Sequence, residues 1–427
     1  MSLFAGLRTD QAPPLALPAS FFLTAPAAMM VAGLLALVEG GVLTSRWAGP
    51  TLALAHLGTL GLLGATMLGA LYQLIPVVAG APVPAPRLGH VVHTLYVGGL
   101  LTLVARFYGG PSIVAGIGGI ALSVALLIFF GQVAVALARA PARTWTVTGM
   151  RLAVVSLGVV LAIGLRLAGG YLGYSFPMPR PLWTQAHMSI GLLGWVGGLI
   201  AAVGWQVVPM FYLAPPFDRR LPAVVHGLQV LGIAAVLAAL GAAAKGVEVG
   251  SGEMLLAAAP AALGVWVVAP VAVLRGLLRR ARRSTDGSAR FWFAALPVAL
   301  ALPPLAILSV YAEDPRWGLV FGWLAIWGWA GAVVHGMLTR IVPFLTWLHR
   351  FSPLLGRANV PPMRSLYPDW RVQTGLVLHV ATTLAGLVTI VTGRAWPVGV
   401  GLLATGLWLG GNLVLTLSAR APTPRTP

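Results

Sequence analysis

The feature that most limits how this chain can fold is a succession of apolar stretches, each roughly 20 residues long, along its whole length. As a helix, each stretch is long enough to cross a hydrocarbon layer about 30 Å thick. Only 8% of the 427 residues are charged and the mean hydropathy is +0.90, whereas about a quarter of the residues of a soluble domain are charged. Backbone groups in lipid must bond within the chain, and these stretches are too long for barrel strands. The sequence therefore predicts an all-α, multi-pass membrane protein.

Twelve spans can be delimited along the chain. Their approximate limits are 20–43, 51–76, 90–107, 112–138, 146–169, 184–211, 222–244, 253–274, 291–311, 318–345, 372–392 and 397–418. An even number of spans places both termini on the same side of the membrane.

The basic residues are divided unevenly between the two sides. Eighteen Lys and Arg fall on the side that holds the termini, and five fall on the other: Arg46, Arg180, Lys245, Arg316 and Arg394. The positive-inside rule then places both termini in the cytoplasm, which predicts a bacterial-type inner (plasma) membrane protein. The net charge of +18 is accounted for by this asymmetry, so we expect membrane lipid as a partner and no nucleic acid.

A short sequence pattern occurs three times. Gln or Arg lies three residues before a proline near the end of spans 2, 6 and 10: Gln73 and Pro76, Gln206 and Pro209, and Arg340 and Pro343. The prolines are 133 and 134 residues apart, a step of four spans, and His93, His226 and His379 begin the spans that follow. The pattern predicts a single transmembrane domain over 1–427, built as three pseudo-threefold four-helix arcs with repeats at approximately 20–139, 146–283 and 290–418.

Two further histidines lie near the outer starts of spans 2 and 6. They are His56 in "AHLGTLGLLG" and His187 in "AHMSIGLLG". With twelve spans in three arcs and both termini inside, the chain resembles the catalytic subunit (subunit I) of haem-copper oxidases. In that family these positions hold a low-spin haem ligand and a copper ligand. The resemblance implies haem b, copper or both at His56 and His187, a role in respiratory or nitric oxide metabolism, and an electron-donor or oxidase partner subunit.

The chain also departs from that family. Spans 7 and 10 read "LAALGAAAKGVEVG" and "WGLVFGWLAIWGWAG" and lack the family's other histidine ligands. We therefore expect a divergent relative, similar in kind to the NnrS family, in which full oxygen reduction is lost and other oxidoreductase activity is left open. Glu39, at the outer end of span 1, is either a third metal ligand, a proton acceptor or a solvated group. The alternative function is a transporter or membrane scaffold that binds no cofactor.

A second group of polar residues lies near the cytoplasmic side. Its members are His90, His93, His226, His335, His379, Gln73, Gln206 and Arg340. We favour a structural role, in which they bond the backbone groups that the nearby prolines leave without partners. The alternative is a second cofactor site, where Arg340 would meet a haem propionate instead of helix-end carbonyls. Cysteine is absent, so a thiolate metal site is excluded.

Overall fold

The computed structural model describes residues 11–176, 179–281 and 287–420, and within them it has helices and no strands. Twelve of the helices are long and apolar enough to cross a membrane, which confirms the prediction of an all-α, multi-pass membrane protein. They are α1 (Ala16–Val38), α2 (Gly49–Ala79), α3 (Leu88–Phe107), α4 (Ser112–Arg139), α5 (Trp145–Leu172), α6 (Arg180–Tyr212), α7 (Arg220–Ala244), α8 (Ser251–Leu278), α9 (Gly287–Tyr311), α10 (Arg316–Arg350), α11 (Asp369–Thr392) and α12 (Trp396–Leu417). Arg8, Arg282, Arg283 and Arg425, which were counted for the orientation, lie outside the described residues.

The first span ends earlier than predicted. α1 stops at Val38 instead of residue 43, because Gly40, Gly41 and Leu43 have φ values of 63°, 68° and 57°. Two consecutive glycines tolerate this left-handed backbone without the steric cost of a side chain. The residues after this turn are still apolar, so hydropathy alone predicted a helix that is too long.

Three helices occupy the interior of the bundle. In their most hydrophobic stretches 83%, 72% and 67% of the residues of α2, α6 and α10 are buried, compared with at most 56% in the other nine helices. α10 contacts both α2 and α6, and peripheral helices pair with one another, including α1 with α12 and α3 with α4. An interior α2, α6 and α10 is what the three-arc arrangement requires, and the superposition of the arcs stays a prediction.

The three interior helices share a local irregularity. Each contains a π-helical segment: Leu57–Gly64 in α2, Ile190–Val196 in α6 and Leu324–Gly331 in α10. These segments begin 133 and 134 residues apart, the same steps that separate the three prolines. π-helical turns are uncommon and are often found at functional sites. Two further segments, in α2 around Pro76 and in α8, do not follow this spacing.

Candidate functional site: a cavity between the interior helices

One end of the bundle contains a cavity of about 620 Å³. It lies toward the helix ends that carry Trp47, Trp317 and Trp396, called here the tryptophan face; the opposite end is the arginine face. The walls come mainly from α2, α6 and α10, with contributions from α1 and from α3 to α5, and they are mostly apolar. All three repeated π-helical segments line the cavity, so the irregular parts of the interior helices meet at one place.

His56 and His187 both line this cavity. The Nδ1 atom of His56 lies 2.7 Å from the carbonyl oxygen of Leu52. A carbonyl only accepts, so Nδ1 carries the proton and Nε2 of the neutral ring carries the lone pair. His187 has its Nδ1 atom buried with no hydrogen-bond partner among the described residues. The lone pair on Nε2 of His56 is therefore available to a donor in the cavity, whereas Nδ1 of His187 is buried and faces α5.

A glycine allows the His187 ring to pack closely against α5. A Cβ atom on Gly164 of α5 would lie 3.0 Å from Cε1 of His187, tighter than ordinary van der Waals contact. The ring is thus closely fitted against α5 while it borders the cavity.

Three arginines also line the cavity. The guanidinium groups of Arg46 and Arg180 each lie 5.0 Å from the centre of the Trp47 ring, within the range of a cation–π interaction. Arg106 donates to the carbonyl oxygen of Tyr171 at 3.1 and 3.2 Å. Among the described residues no Asp or Glu forms an ion pair with these three arginines. They give the cavity a positive potential that favours an anionic group.

Sequence reasoning did not identify these arginines as site residues. A signal was present, because Arg46 and Arg180 are two of only five basic residues on the predicted outer side. The positive-inside rule explains basic residues on the cytoplasmic side but not those on the outer side. Basic residues on the outer side are therefore better candidates for a functional site.

Glu39 does not join His56 and His187. It is exposed at the end of α1 and does not line the cavity. Across residues 11–176, 179–281 and 287–420 no group of three or more His, Asp or Glu side chains could hold a metal ion. The structure therefore supplies no third ligand here, and binding of haem or copper by His56 and His187 stays a prediction.

The second polar group of the sequence analysis is spread around the bundle. Nε2 of His93 lies 2.9 Å from Oγ1 of Thr24, and Nε2 of His226 lies 3.2 Å from the carbonyl oxygen of Trp145. His90 is exposed. His93 and His226 thus serve two different helix contacts, and neither of these bonds is to the carbonyl one turn before Pro76 or Pro209, so the structural role stays a prediction.

The remaining members of that group are similarly separated. Gln73 is buried and Gln206 is half-buried. Arg340 donates to the carbonyl oxygen of Phe211 at 3.2 Å, one residue before the end of α6. This is a helix-end carbonyl, the partner favoured in the sequence analysis over a haem propionate.

Two members of this group, His335 and His379, meet in the interior of the bundle. Their Nδ1 atoms are 3.3 Å apart, and both side chains are fully buried between α10 and α11. The sequence placed them at one depth but gave no reason to pair these two in particular.

Comparison with known proteins finds a similarity to an exporter. No protein-family model matches the chain. The chain is similar to the aromatic amino acid exporter YddG of Ancylobacter novellus, with 28% identity in an alignment over 281 residues that covers 62% of this chain and 86% of the exporter.

This similarity overturns the resemblance to haem-copper oxidase subunit I and to the NnrS family, which was wrong. That resemblance rested on the span count, the arcs and two histidines, and an arrangement of helices does not specify a chemistry. The missing histidines of spans 7 and 10 already argued against it. The chain is a multi-pass integral membrane protein whose sequence is similar to that of an amino acid exporter.

Proposed function

We propose that this chain is a transporter that moves a small amphipathic solute through the cavity between α2, α6 and α10. The observation that carries the proposal is the meeting around one cavity of three π-helical segments that begin 133 and 134 residues apart. In many secondary transporters the substrate site forms where irregular helices of internal repeats meet. A volume of about 620 Å³ also falls within the roughly 300–1,000 Å³ of small-molecule sites.

The lining supports a particular class of solute. Aromatic walls from Trp195, Trp323 and Trp327 suit an aromatic or otherwise apolar body. Arg180 and its neighbours suit a carboxylate, which a guanidinium binds with charge-assisted hydrogen bonds. The lone pair of His56 Nε2 suits a donor such as an ammonium group. An aromatic amino acid has all three features, and the similarity to an aromatic amino acid exporter supports this choice.

The orientation favours release of the solute at the tryptophan face. If both termini are cytoplasmic in a bacterial-type inner membrane, as the basic residues predict, the cavity lies in the outer half of the bilayer. An exporter must adopt a conformation in which its binding site is accessible from the outer side of the membrane.

Tryptophan counterflow tests the proposal. The full chain is reconstituted in liposomes loaded with unlabelled L-tryptophan, and uptake of labelled L-tryptophan is measured. We expect uptake above that of empty liposomes and its loss in Gly191→Leu. Gly191 lines the cavity, and its Cβ position has only Val160 near it, at 3.9 Å, so a leucine there would fill the space.

Gly98→Leu is the matched control. Gly98 is exposed on α3, and a Cβ atom there would have nothing within 4 Å. Absence of counterflow in the unaltered chain, or equal loss in both variants, would contradict transport through this cavity. An optical spectrum of the same preparation tests the cofactor prediction separately, since a haem band should disappear in His56→Ala and His187→Ala.

A further inference from the structure

The hydrogen bonds of the His335–His379 pair determine where its protons lie. Nε2 of His379 is 3.1 Å from the carbonyl oxygen of Trp327, so it carries a proton. Nδ1 of neutral His379 is then an acceptor, and Nδ1 of His335, 3.3 Å away, donates to it. The lone pair of His335 is left on Nε2, which is buried with no hydrogen-bond partner among the described residues.

The surroundings of the pair are aromatic and contribute no charge. Phe291 of α9 lies 4.7 Å from the His335 ring, and the Trp327 ring stacks on His379 at 4.5 Å. The orphan Nε2 atom faces Gly375 of α11, whose Cβ would lie 3.2 Å from it, with the Trp408 indole of α12 beside the same point. No titratable side chain other than the partner imidazole hydrogen-bonds either ring in the described part of the chain.

Other titratable groups on the surrounding helices make their contacts elsewhere or lie at the helix ends. They are His56 and Tyr72 of α2, Arg290 and Tyr311 of α9, Arg316, Arg340, His349 and Arg350 of α10, and Asp369 and Arg371 of α11; α12 has none. A buried acceptor nitrogen without a partner is costly, and such groups in membrane proteins are usually functional.

The pair is connected to the cavity through its wall. Trp327 stacks on His379 and lines the cavity, and Trp323, stacked on Trp327 at 5.6 Å and 7°, lines it too. Trp327 belongs to the π-helical segment of α10, and His335 follows four residues after that segment ends. A change in the position or charge of the two imidazoles would therefore affect Trp327, a side chain that would contact a solute in the cavity.

We propose that the His335–His379 pair is a proton-binding site that couples proton movement to transport, an inference that rests on the proposed function. One proton adds to Nε2 of His335, and the resulting imidazolium strengthens the hydrogen bond from its Nδ1 to His379. A second proton is opposed by the like charge. The new Nε2–H donor has no acceptor in this arrangement of α10 and α11. Protonation therefore favours a different arrangement of these two helices, and Trp327 transmits the change to the cavity.

Net transport and exchange separate this role from a structural one. In the reconstituted chain, an imposed pH gradient should drive net L-tryptophan flux, and His335→Gln and His379→Gln should each reduce the gradient-driven component at least tenfold. Counterflow exchange needs no net proton movement, so we expect both variants to retain it, which also shows that they fold. His90→Gln, at an exposed histidine, is the matched control and should leave both activities unchanged.

A second variant leaves both imidazoles in place. Gly375→Ala crowds Nε2 of His335, and it should weaken the response to the gradient while it preserves exchange. Net flux that ignores the gradient in the unaltered chain, with exchange intact, overturns proton coupling and leaves the transporter proposal standing.

Proton binding itself can be measured without transport. In protein labelled with ¹⁵N-histidine, the resonances missing from His335→Gln and His379→Gln identify the pair, and they should show uptake of one proton as the pH falls. A pair that remains neutral down to about pH 4, more than two units below the usual histidine pKa of about 6.5, overturns the site. Absence of exchange in the unaltered chain would instead overturn the transporter proposal and, with it, the coupling.

Discussion

The two histidine pairs of this protein have opposite surroundings. His56 and His187 border an open cavity with arginines at its edge, whereas His335 and His379 are enclosed by aromatic rings and bond each other. The first pair borders space for a solute, whereas the second pair does not line the cavity. Histidine therefore occurs here in two different environments. The side chains that α3 and α5 place beside the first pair differ from those that α9 and α11 place beside the second.

The largest effect should come from removing a ring in the enclosed region. Phe291 is fully buried against both His335 and His379, so Phe291→Ala should cost about 3–5 kcal/mol, the usual range for such a truncation in a core. Phe107 packs on His56 at 5.0 Å but already borders the cavity. Phe107→Ala should therefore cost much less. Thermal unfolding in detergent measures both variants, and equal losses of stability would contradict the contrast between an enclosed and an open pair.

A smaller effect should distinguish the chemical groups of the solute. Arg180→Gln removes a cation from the cavity, and a hydrogen bond to a charged group contributes roughly 1.5–3 kcal/mol. We expect the affinity for L-tryptophan to fall about tenfold or more, as about 1.4 kcal/mol is tenfold. Tryptamine, which lacks the carboxylate, should bind both proteins equally.

Arg394→Gln is the control for this experiment, because Arg394 is exposed on the same face and does not line the cavity. An equal loss for tryptophan and tryptamine in Arg180→Gln would mean that the arginine holds the cavity wall in place without contacting a carboxylate.

Much of the fold could be predicted from the sequence because the membrane imposes one dominant pattern. Span lengths follow from bilayer thickness, and the recurring prolines at Pro76, Pro209 and Pro343 singled out the three helices that are most buried. The depth of His56 and His187 within their spans was also sufficient to bring both to one region, where they line the same cavity.

Other features could not be predicted, for identifiable physical reasons. The π-helical segments have the same hydropathy as α-helix, so composition does not reveal them. The pairing of His335 with His379 depends on the rotation of α10 and α11 about their axes, and depth along a span leaves rotation undetermined. The oxidase resemblance failed because twelve spans and two histidines describe a topology that different functions can share.

The smallest effect should come from a charge pair outside both regions. Arg316 hydrogen-bonds Asp314 in the loop before α10 and holds the pKa of that carboxyl below its usual value. A lowered pKa in the folded state stabilises the protein above the unfolded pKa, and the contribution is lost as the pH falls through the folded value. Both side chains are exposed, so solvent screens the pair and Asp314→Asn should change the unfolding temperature very little at pH 7. A large drop in unfolding temperature at pH 7 that disappears under acidic conditions would contradict this. It would show that the ion pair stabilises the tryptophan face, the end of the bundle that also holds the cavity arginines.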